Sequence, residues 1–269
     1  MILYFAASFL EEDVDTIGRM GHRNMLFSFH YYGTKWLPRL REWRRKYKLT
    51  LFIDSGAFSA YTSGVSIDIQ EYMKFLKSLR APYYAVLDDL VDPDRTLANQ
   101  RLMEKNGLNP LPTFHIGENI KYLEYYITRY KYMALGGMVG AENLEPWLKS
   151  VWPYIYRRRP ELKVHGFGLT TQSQIQPYPF YSVDSSSYLA PSRFGIVPLW
   201  SDKKNVMYQT KYYKVVDDYK DGEKMSLEHR DRSITMAAKS YQQMIAYVNK
   251  YQKKRQFQHL LNQTTLWSQ

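Results

Sequence analysis

A parallel α/β barrel of the (β/α)8 type, the TIM barrel, is the fold class this sequence predicts, and three observations predict it. Eight short apolar runs recur along the chain, each closing on a polar residue or a glycine: Ile2–Ala7, Met25–Phe29, Leu49–Ile53, Tyr83–Leu87, Leu111–Phe114, Tyr132–Leu135, Val164–Phe167 and Phe180–Val183. The intervals between them hold helices or sizeable crossovers, as parallel strands require. The length, 269 residues, suits one barrel of about 250 residues and leaves little for a second domain. Closure gathers the carboxyl ends of all strands at one mouth, where barrel enzymes place their chemistry. Three runs are followed by Asp54, Asp88 and Asp184, so acids remote in sequence are expected to share a pocket.

The amino terminus, MILYFAASFLEEDVD, is apolar but has no preceding basic residue and turns acidic at once, so it reads as a first strand and not a signal peptide. Residues 35–48, KWLPRLREWRRKYK, form a basic helix carrying Trp36 and Trp43. Helical spacing of Ile67, Ile69, Tyr72, Phe75, Leu76 and Leu79 predicts a helix over Gly64–Arg80. Pro93–Gly107 starts on a proline and stops on a glycine. Asn119–Tyr130 and Leu144–Arg158 follow the fifth and sixth strands. The connection TTQSQIQPYP lacks helical patterning and predicts a flexible loop beside the mouth. After the eighth strand, PSRFGIVPLW predicts an extra extended segment, and residues 201–230 a polar excursion rich in Lys and Tyr. A last helix, Ser233–Lys250, stripes Ile234, Ala237, Tyr241, Met244, Ile245 and Val248 along one face for packing on the barrel. The expected organisation is a single-domain barrel with an irregular last βα connection, its core over 1–200 and a basic, aromatic excursion with the final helix packing on the barrel over 201–269.

Composition narrows the partner. Thirty-seven Lys and Arg against 26 Asp and Glu give a net charge of +11, with 25 Tyr, 12 Phe and 6 Trp. A basic, aromatic-rich chain suits a polyanion such as nucleic acid. The absence of cysteine excludes disulfides and thiolate-ligated zinc or iron–sulfur sites. No apolar run is long enough to cross a membrane, so a soluble, cytoplasmic protein is expected. His30, His115 and His165 show no close ligand spacing, and no metal or cofactor is expected.

Four motifs carry chemistry. Phe52-Ile53-Asp54-Ser55-Gly56-Ala57-Phe58 runs from a strand into a glycine turn, with Asp54 aimed at the mouth. Val86-Leu87-Asp88-Asp89 offers one pocket acid and one helix cap. Leu135-Gly136-Gly137-Met138 allows backbone to approach a flat ligand. Tyr181-Ser182-Val183-Asp184-Ser185-Ser186-Ser187 ends the eighth strand on an acid and three hydroxyls. Acids crowded at one mouth raise one another's pKa unless cations intervene. Paired carboxylates suit chemistry at an anomeric carbon.

Over roughly residues 50–195 these motifs resemble the tRNA-guanine transglycosylases. Phe52–Phe58 resembles that family's Asp-Ser-Gly-Gly-Phe motif, with Ala57 in place of the second glycine. Leu135–Gly140 is similar to its Gly-Gly-Leu-Ala-Val-Gly base-binding loop, one residue shorter, and Val164–Gly168 to its Met-Gly-Val-Gly strand. The family's cysteine-built zinc site is missing, and His115 stands where its members have a glutamine. The compact form looks more like the phage and bacterial branch that inserts 7-deazaguanines, such as 7-cyano-7-deazaguanine, into DNA.

The resemblance implies a pentosyltransferase that exchanges guanine in single- or double-stranded DNA for a free 7-deazaguanine, without cofactor or metal and with no membrane partner. Asp184 would attack the anomeric carbon and Asp54 would move the proton. Asp88, His115, Gly136, Gly137, Met138, Ser55 and Phe58 would hold the base, with His115 reading its carbonyl. Arg193, Lys203, Lys204, Arg44 and Arg45 would contact nucleic acid, and a homodimer is left open. Three other readings stand beside it: a tRNA-directed transglycosylase, a barrel glycoside hydrolase using Asp54 and Asp184, and an inactive nucleic-acid-binding subunit.

Overall fold

The computed structural model describes residues 1–8, 10–255 and 257–262. Eight strands form one parallel sheet: β1 (Ile2–Ala6), β2 (Asn24–Ser28), β3 (Thr50–Asp54), β4 (Tyr83–Tyr84), β5 (Thr113–His115), β6 (Tyr132–Gly136), β7 (Lys163–Gly166) and β8 (Ser182–Ser185). Their order is β4-β3-β2-β1-β8-β7-β6-β5. The two ends meet at a single bridge between Ala85 and Leu111, where Leu111 N donates to Tyr84 O at 2.8 Å and Val86 N donates to Leu111 O at 3.0 Å. That seam closes the barrel. It stays short because Pro110 and Pro112 flank Leu111, and neither has an N–H to extend the ladder.

Strand alternation sorts the core into two shells. Tyr4, Leu26, Phe52, Ala85 and Leu111 point inward and pack with Tyr83, Tyr132 and Phe167. Leu3, Phe5, Met25, Phe27, Leu51 and Ile53 point outward into the larger core beneath the helices. The same parity sends Asp54, His115, His165, Ser182 and Asp184 inward.

The outer layer starts with α1 (Glu11–Arg19). Between β2 and β3 come the single turn α2 (Phe29–Tyr32) and the basic α3 (Leu37–Tyr47), which buries Leu40 and Trp43. The β3–β4 crossover holds α4 (Ala57–Thr62) and α5 (Ile69–Leu79). The Asp68 side chain caps α5 by accepting from Gln70 N and Glu71 N, so this helix begins five residues later than the periodicity suggested. Next are α6 (Pro93–Lys105), capped by Asp92, and α7 (Ile120–Arg129), capped by Asn119. The sixth crossover is α8 (Leu144–Arg158), whose bounds match the sequence reading.

The β7–β8 connection departs from the expected flexible loop. It contains a one-turn helix, α9 (Gln172–Ile175), anchored by fully buried Ile175 and by Tyr178 stacked on Trp152 at 6.0 Å. After β8 come α10 (Ala190–Phe194) and an antiparallel hairpin of β9 (Ile196–Ser201) and β10 (Val206–Lys211). The expected extra strand is therefore present, and its partner lies on the far side of position 200. The last helix, α11 (Leu227–Arg255), is longer than the expected Ser233–Lys250 and buries Ile234, Ala237, Met244 and Val248. Its Asn249 exchanges hydrogen bonds with the amino terminus and carbonyl of Met1, and its Arg230 pairs with buried Asp13 at 2.7 Å. α11 thus fills the place of the barrel's eighth helix, joined to the core by both packing and ion pair. Residues 263–269 of the polar tail lie outside the described residues. No helix among the described residues is long and apolar enough to cross a membrane.

Candidate active site

The three strand-end acids converge as the sequence suggested. Asp54 closes β3, and its Oδ2 accepts the Gly56 N–H at 3.0 Å. Gly56 sits at φ +79°, and a Cβ there would stand 2.3 Å from Ser28 Oγ and 2.5 Å from His30 Cβ. Glycine is therefore required at this turn both for conformation and for space. The Asp54 carboxyl group is surrounded by protein, although the residue keeps some surface open to the mouth. Burial first, then the charges of Asp88 and Asp184, push its pKa up to about 7. A carboxyl group poised there exchanges protons at neutral pH.

Asp88 behaves differently. Its Oδ1 accepts from the Ser55 hydroxyl at 2.9 Å and its Oδ2 from His115 Nε2 at 2.9 Å. Burial raises its pKa, but the hydrogen bond and charge of His115 outweigh it and hold the group below the usual carboxylate range. The second nitrogen of His115, Nδ1, faces Glu118 Oε1 at 2.9 Å. Burial opposes the charged imidazolium, yet the two carboxylates push its pKa up to about 10. Asp88, His115 and Glu118 form a buried anion–cation–anion string with one net negative charge.

That string corrects the role expected for His115. Both ring nitrogens are committed to carboxylates, so the ring holds Asp88 in place and does not read a ligand carbonyl. The expectation for Gly136 changes too: a Cβ there would lie 2.7 Å from His115 Cδ2 and 2.9 Å from Thr113 Cγ2, so this glycine makes room for the histidine. Gly137, at φ +69°, is exposed at the rim, while Met138 is buried beneath it. Ser55 is fully buried, held between Asp88 and the Ala57 N–H.

Asp184 closes the cluster from the opposite side. Its Oδ1 accepts the Gly168 N–H at 2.8 Å and lies 3.3 Å from His165 Nε2. Phe58, Tyr61, Val65, Val91, Val139 and Phe194 are exposed on the connections that follow β3, β4, β6 and β8, giving the mouth an apolar rim. A cavity of about 190 Å³ between the loops after β3 and β4 reaches Asp88 and is lined by Tyr61, Ile67 and Asn99. Among the described residues no group of three or more His, Asp and Glu is arranged to hold a metal ion.

The expected nucleic-acid contacts separate. Arg193 lines a groove of about 1140 Å³ between the β7–β8 and β8–α10 loops and the β9–β10 hairpin, with Thr171, Ser186, Phe194 and Tyr208. Lys203 and Lys204 lie exposed at the hairpin turn. Arg44 and Arg45 lie near the carboxyl end of α3, at the opposite end of the barrel from the mouth, where Arg44 donates to the carbonyls of Leu79 and Arg80. Arg44 closes a helix end, Arg45 is exposed beside it, and neither can join the mouth contacts. Sequence reading gave His165 and Ser182 no role of their own and overlooked Glu118. Period-two alternation back from Asp184 points to Ser182, and Glu118 lies three residues after His115.

No family model and no curated protein matches the chain. Solved structures match over nearly its whole length. A putative fructose-1,6-biphosphate aldolase from Coccidioides immitis is 13% identical, with a TM-score of 0.54, covering 98% of this chain and 90% of that one. A structure described as native KDPGal is 7% identical, with a TM-score of 0.50, covering 91% and 97%. A designed cube-shaped protein cage is 8% identical, with a TM-score of 0.52, covering 95% and 77%. At such identities the likeness speaks for the barrel. The expectation of guanine exchange is corrected accordingly: these structures include an aldolase and no transglycosylase, so pentosyl transfer and the 7-deazaguanine substrate are withdrawn.

Proposed function

We propose that the mouth is the active site of an acid–base enzyme in which Asp54 takes up and returns a proton on a small polar substrate, with Asp184 as the fixed carboxylate facing it. The observation that carries this reading is the Asp54 carboxyl group, raised to about 7 by burial and by Asp88 and Asp184, while Asp88 is pinned by a permanent cation. One acid is thus kept free to exchange its proton, and a second is kept charged. Environments that push two carboxyl groups apart in this way mark acid and base assignments.

Aldol cleavage is the first reaction to test, since it begins with removal of a hydroxyl proton, a step suited to a base of this pKa. None of the eight strands ends on a lysine, so the Schiff-base route has no strand-end nucleophile here. The experiment presents a panel of α-hydroxyketones and 4-hydroxy-2-oxo acids to the protein in deuterated buffer and follows cleavage and deuterium uptake by proton NMR. Wild-type turnover that falls by about 10²–10⁴ in Asp54→Asn supports the assignment. Equal rates in the two proteins refute it.

A separate observation favours a nucleic-acid partner along the neighbouring groove. Its lining includes Arg193 and no Asp or Glu, with half-exposed Tyr208 and exposed Phe194 beside it, the cation and ring surfaces that single strands use. Fluorescence anisotropy with a single-stranded oligonucleotide tests this. Affinity should fall with salt and fall further in Arg193→Ala with Lys203→Ala and Lys204→Ala, while Arg45→Ala at the far end leaves it unchanged. Binding insensitive to salt and to the triple variant counts against it.

A further inference from the structure

A buried chain of polar groups runs through the barrel interior beneath Asp184. Tyr132, the first residue of β6, lies 2.6 Å through its hydroxyl from Ser182 Oγ. Ser182 Oγ lies 2.7 Å from His165 Nδ1, and His165 Nε2 lies 3.3 Å from Asp184 Oδ1. Ser182 and His165 are fully buried, and the ring of His165 is packed between Phe52 at 4.6 Å and Phe167 at 4.5 Å. Three strands contribute, and the ring packing leaves the imidazole little freedom to turn.

We propose that His165 is a positioning residue for Asp184, held as the Nε2–H tautomer by the Tyr132–Ser182 pair so that its proton lies on the side of the carboxylate, 3.3 Å away and not hydrogen-bonded in this structure. This rests on the reading that Asp184 belongs to the active site. The proton count selects the direction. Burial pushes the Tyr132 hydroxyl up, so it keeps its proton and donates to Ser182. Ser182 has one proton of its own and donates it to Nδ1, leaving Nε2–H for Asp184. Reversing the chain around a neutral ring would turn the Nε2 lone pair towards a carboxylate oxygen, which is costly in a buried site.

The effect is geometric. Gly168 N–H and His165 Nε2 both approach Oδ1 of Asp184. Oδ2 accepts no hydrogen bond from the described residues and is left for substrate. At 3.3 Å His165 Nε2 makes no hydrogen bond in this structure, so the buried N–H is an unspent donor that a small shift of the Asp184 carboxylate would engage when charge develops at the mouth.

Two-bond nitrogen–proton NMR of histidine-labelled protein at neutral pH reads the tautomer directly. The expected pattern for His165 is an unprotonated Nδ1 and a protonated Nε2. A protonated Nδ1, alone or with Nε2, overturns the proposal. Hydrogen exchange of the Gly168 amide gives the second readout. His165→Leu removes the donor and should speed that exchange by about tenfold, and His165→Gln, which keeps a donor, should restore it to within about threefold. Should His165→Leu not fold, Ser182→Ala keeps the ring and is expected to leave Nδ1 without its donor, which its nitrogen shift reports. Gly168 exchange unchanged in His165→Leu counts against the proposal, as does a Nδ1 shift unchanged in Ser182→Ala. None of these readouts needs turnover, so a failure of the acid–base reading shows separately, as activity that survives Asp54→Asn.

Discussion

Replacing Asp54 by asparagine should make the protein more stable at alkaline pH. In the folded chain the carboxyl pKa is raised to about 7 from an ordinary 3.8. Folding therefore favours the protonated form, and between those values the native state holds a proton that the unfolded chain has released. Stability falls as pH rises through that window and is lowest once Asp54 is ionised above pH 7. Three units correspond to an upper bound of about 4 kcal/mol at 1.36 kcal/mol per unit. Residual contact with solvent at the mouth brings the expected gain nearer to about 1–3 kcal/mol. Asparagine keeps an oxygen for the Gly56 N–H, so the turn survives. Urea unfolding at pH 5 and pH 8 measures the difference. The variant should already be somewhat more stable at pH 5, which lies inside the window, and clearly more so at pH 8, at the expense of turnover. A variant no more stable than wild type at pH 8 would falsify the claim that Asp54 is held in an unfavourable charged state.

The remaining predictions concern the groups that support it. His115→Phe leaves Asp88 and Glu118 buried without their cation and should cost about 3–5 kcal/mol at pH 7, measured by chemical denaturation. In the wild type, His115 is raised to about 10 from 6.5, so its contribution is complete below pH 6.5 and fades as pH rises through 10. Thermal melting should show that decline, and the variant should lack it. Gly56→Ala forces a Cβ to within 2.3 Å of Ser28 Oγ at a φ of +79° and should cost more than about 1 kcal/mol, with loss of turnover. Ala237→Asp on the sealed face of α11 should unfold the helix from the barrel and lower the melting temperature sharply, since residue 237 is fully buried.

Much of this architecture was readable from period and punctuation. All eight apolar runs became strands or, for Leu111, the closing bridge, because a parallel strand buried on both faces writes itself as a short unbroken apolar segment. The α8 helix was delimited by its own residues, whereas α4 was missed: Ala57–Thr62 is too short to show a period. The β7–β8 connection read as irregular because its single turn is held by Ile175 and the Trp152–Tyr178 stack, contacts distant in sequence. Convergence of Asp54, Asp88 and Asp184 followed from topology alone. The pairing of His115 with Asp88 did not, since Asp88 follows β4 and His115 ends β5, 27 residues apart, whereas Glu118 stands only three residues on. Arg44 shows the opposite error: a basic helix was read by charge, without asking which end of the barrel its carboxyl terminus reaches. The reaction itself was over-read, because acids at strand ends specify proton transfer and leave the substrate open.

The most direct test is a carbon-13 titration of the Asp54 side-chain carboxyl in the wild-type protein, assigned by comparison with Asp54→Asn. A midpoint near 7 is what burial beside two further aspartates demands. A midpoint near the ordinary 3.8 would mean that Asp54 is simply ionised at neutral pH, and the acid–base site described here would lose its working group.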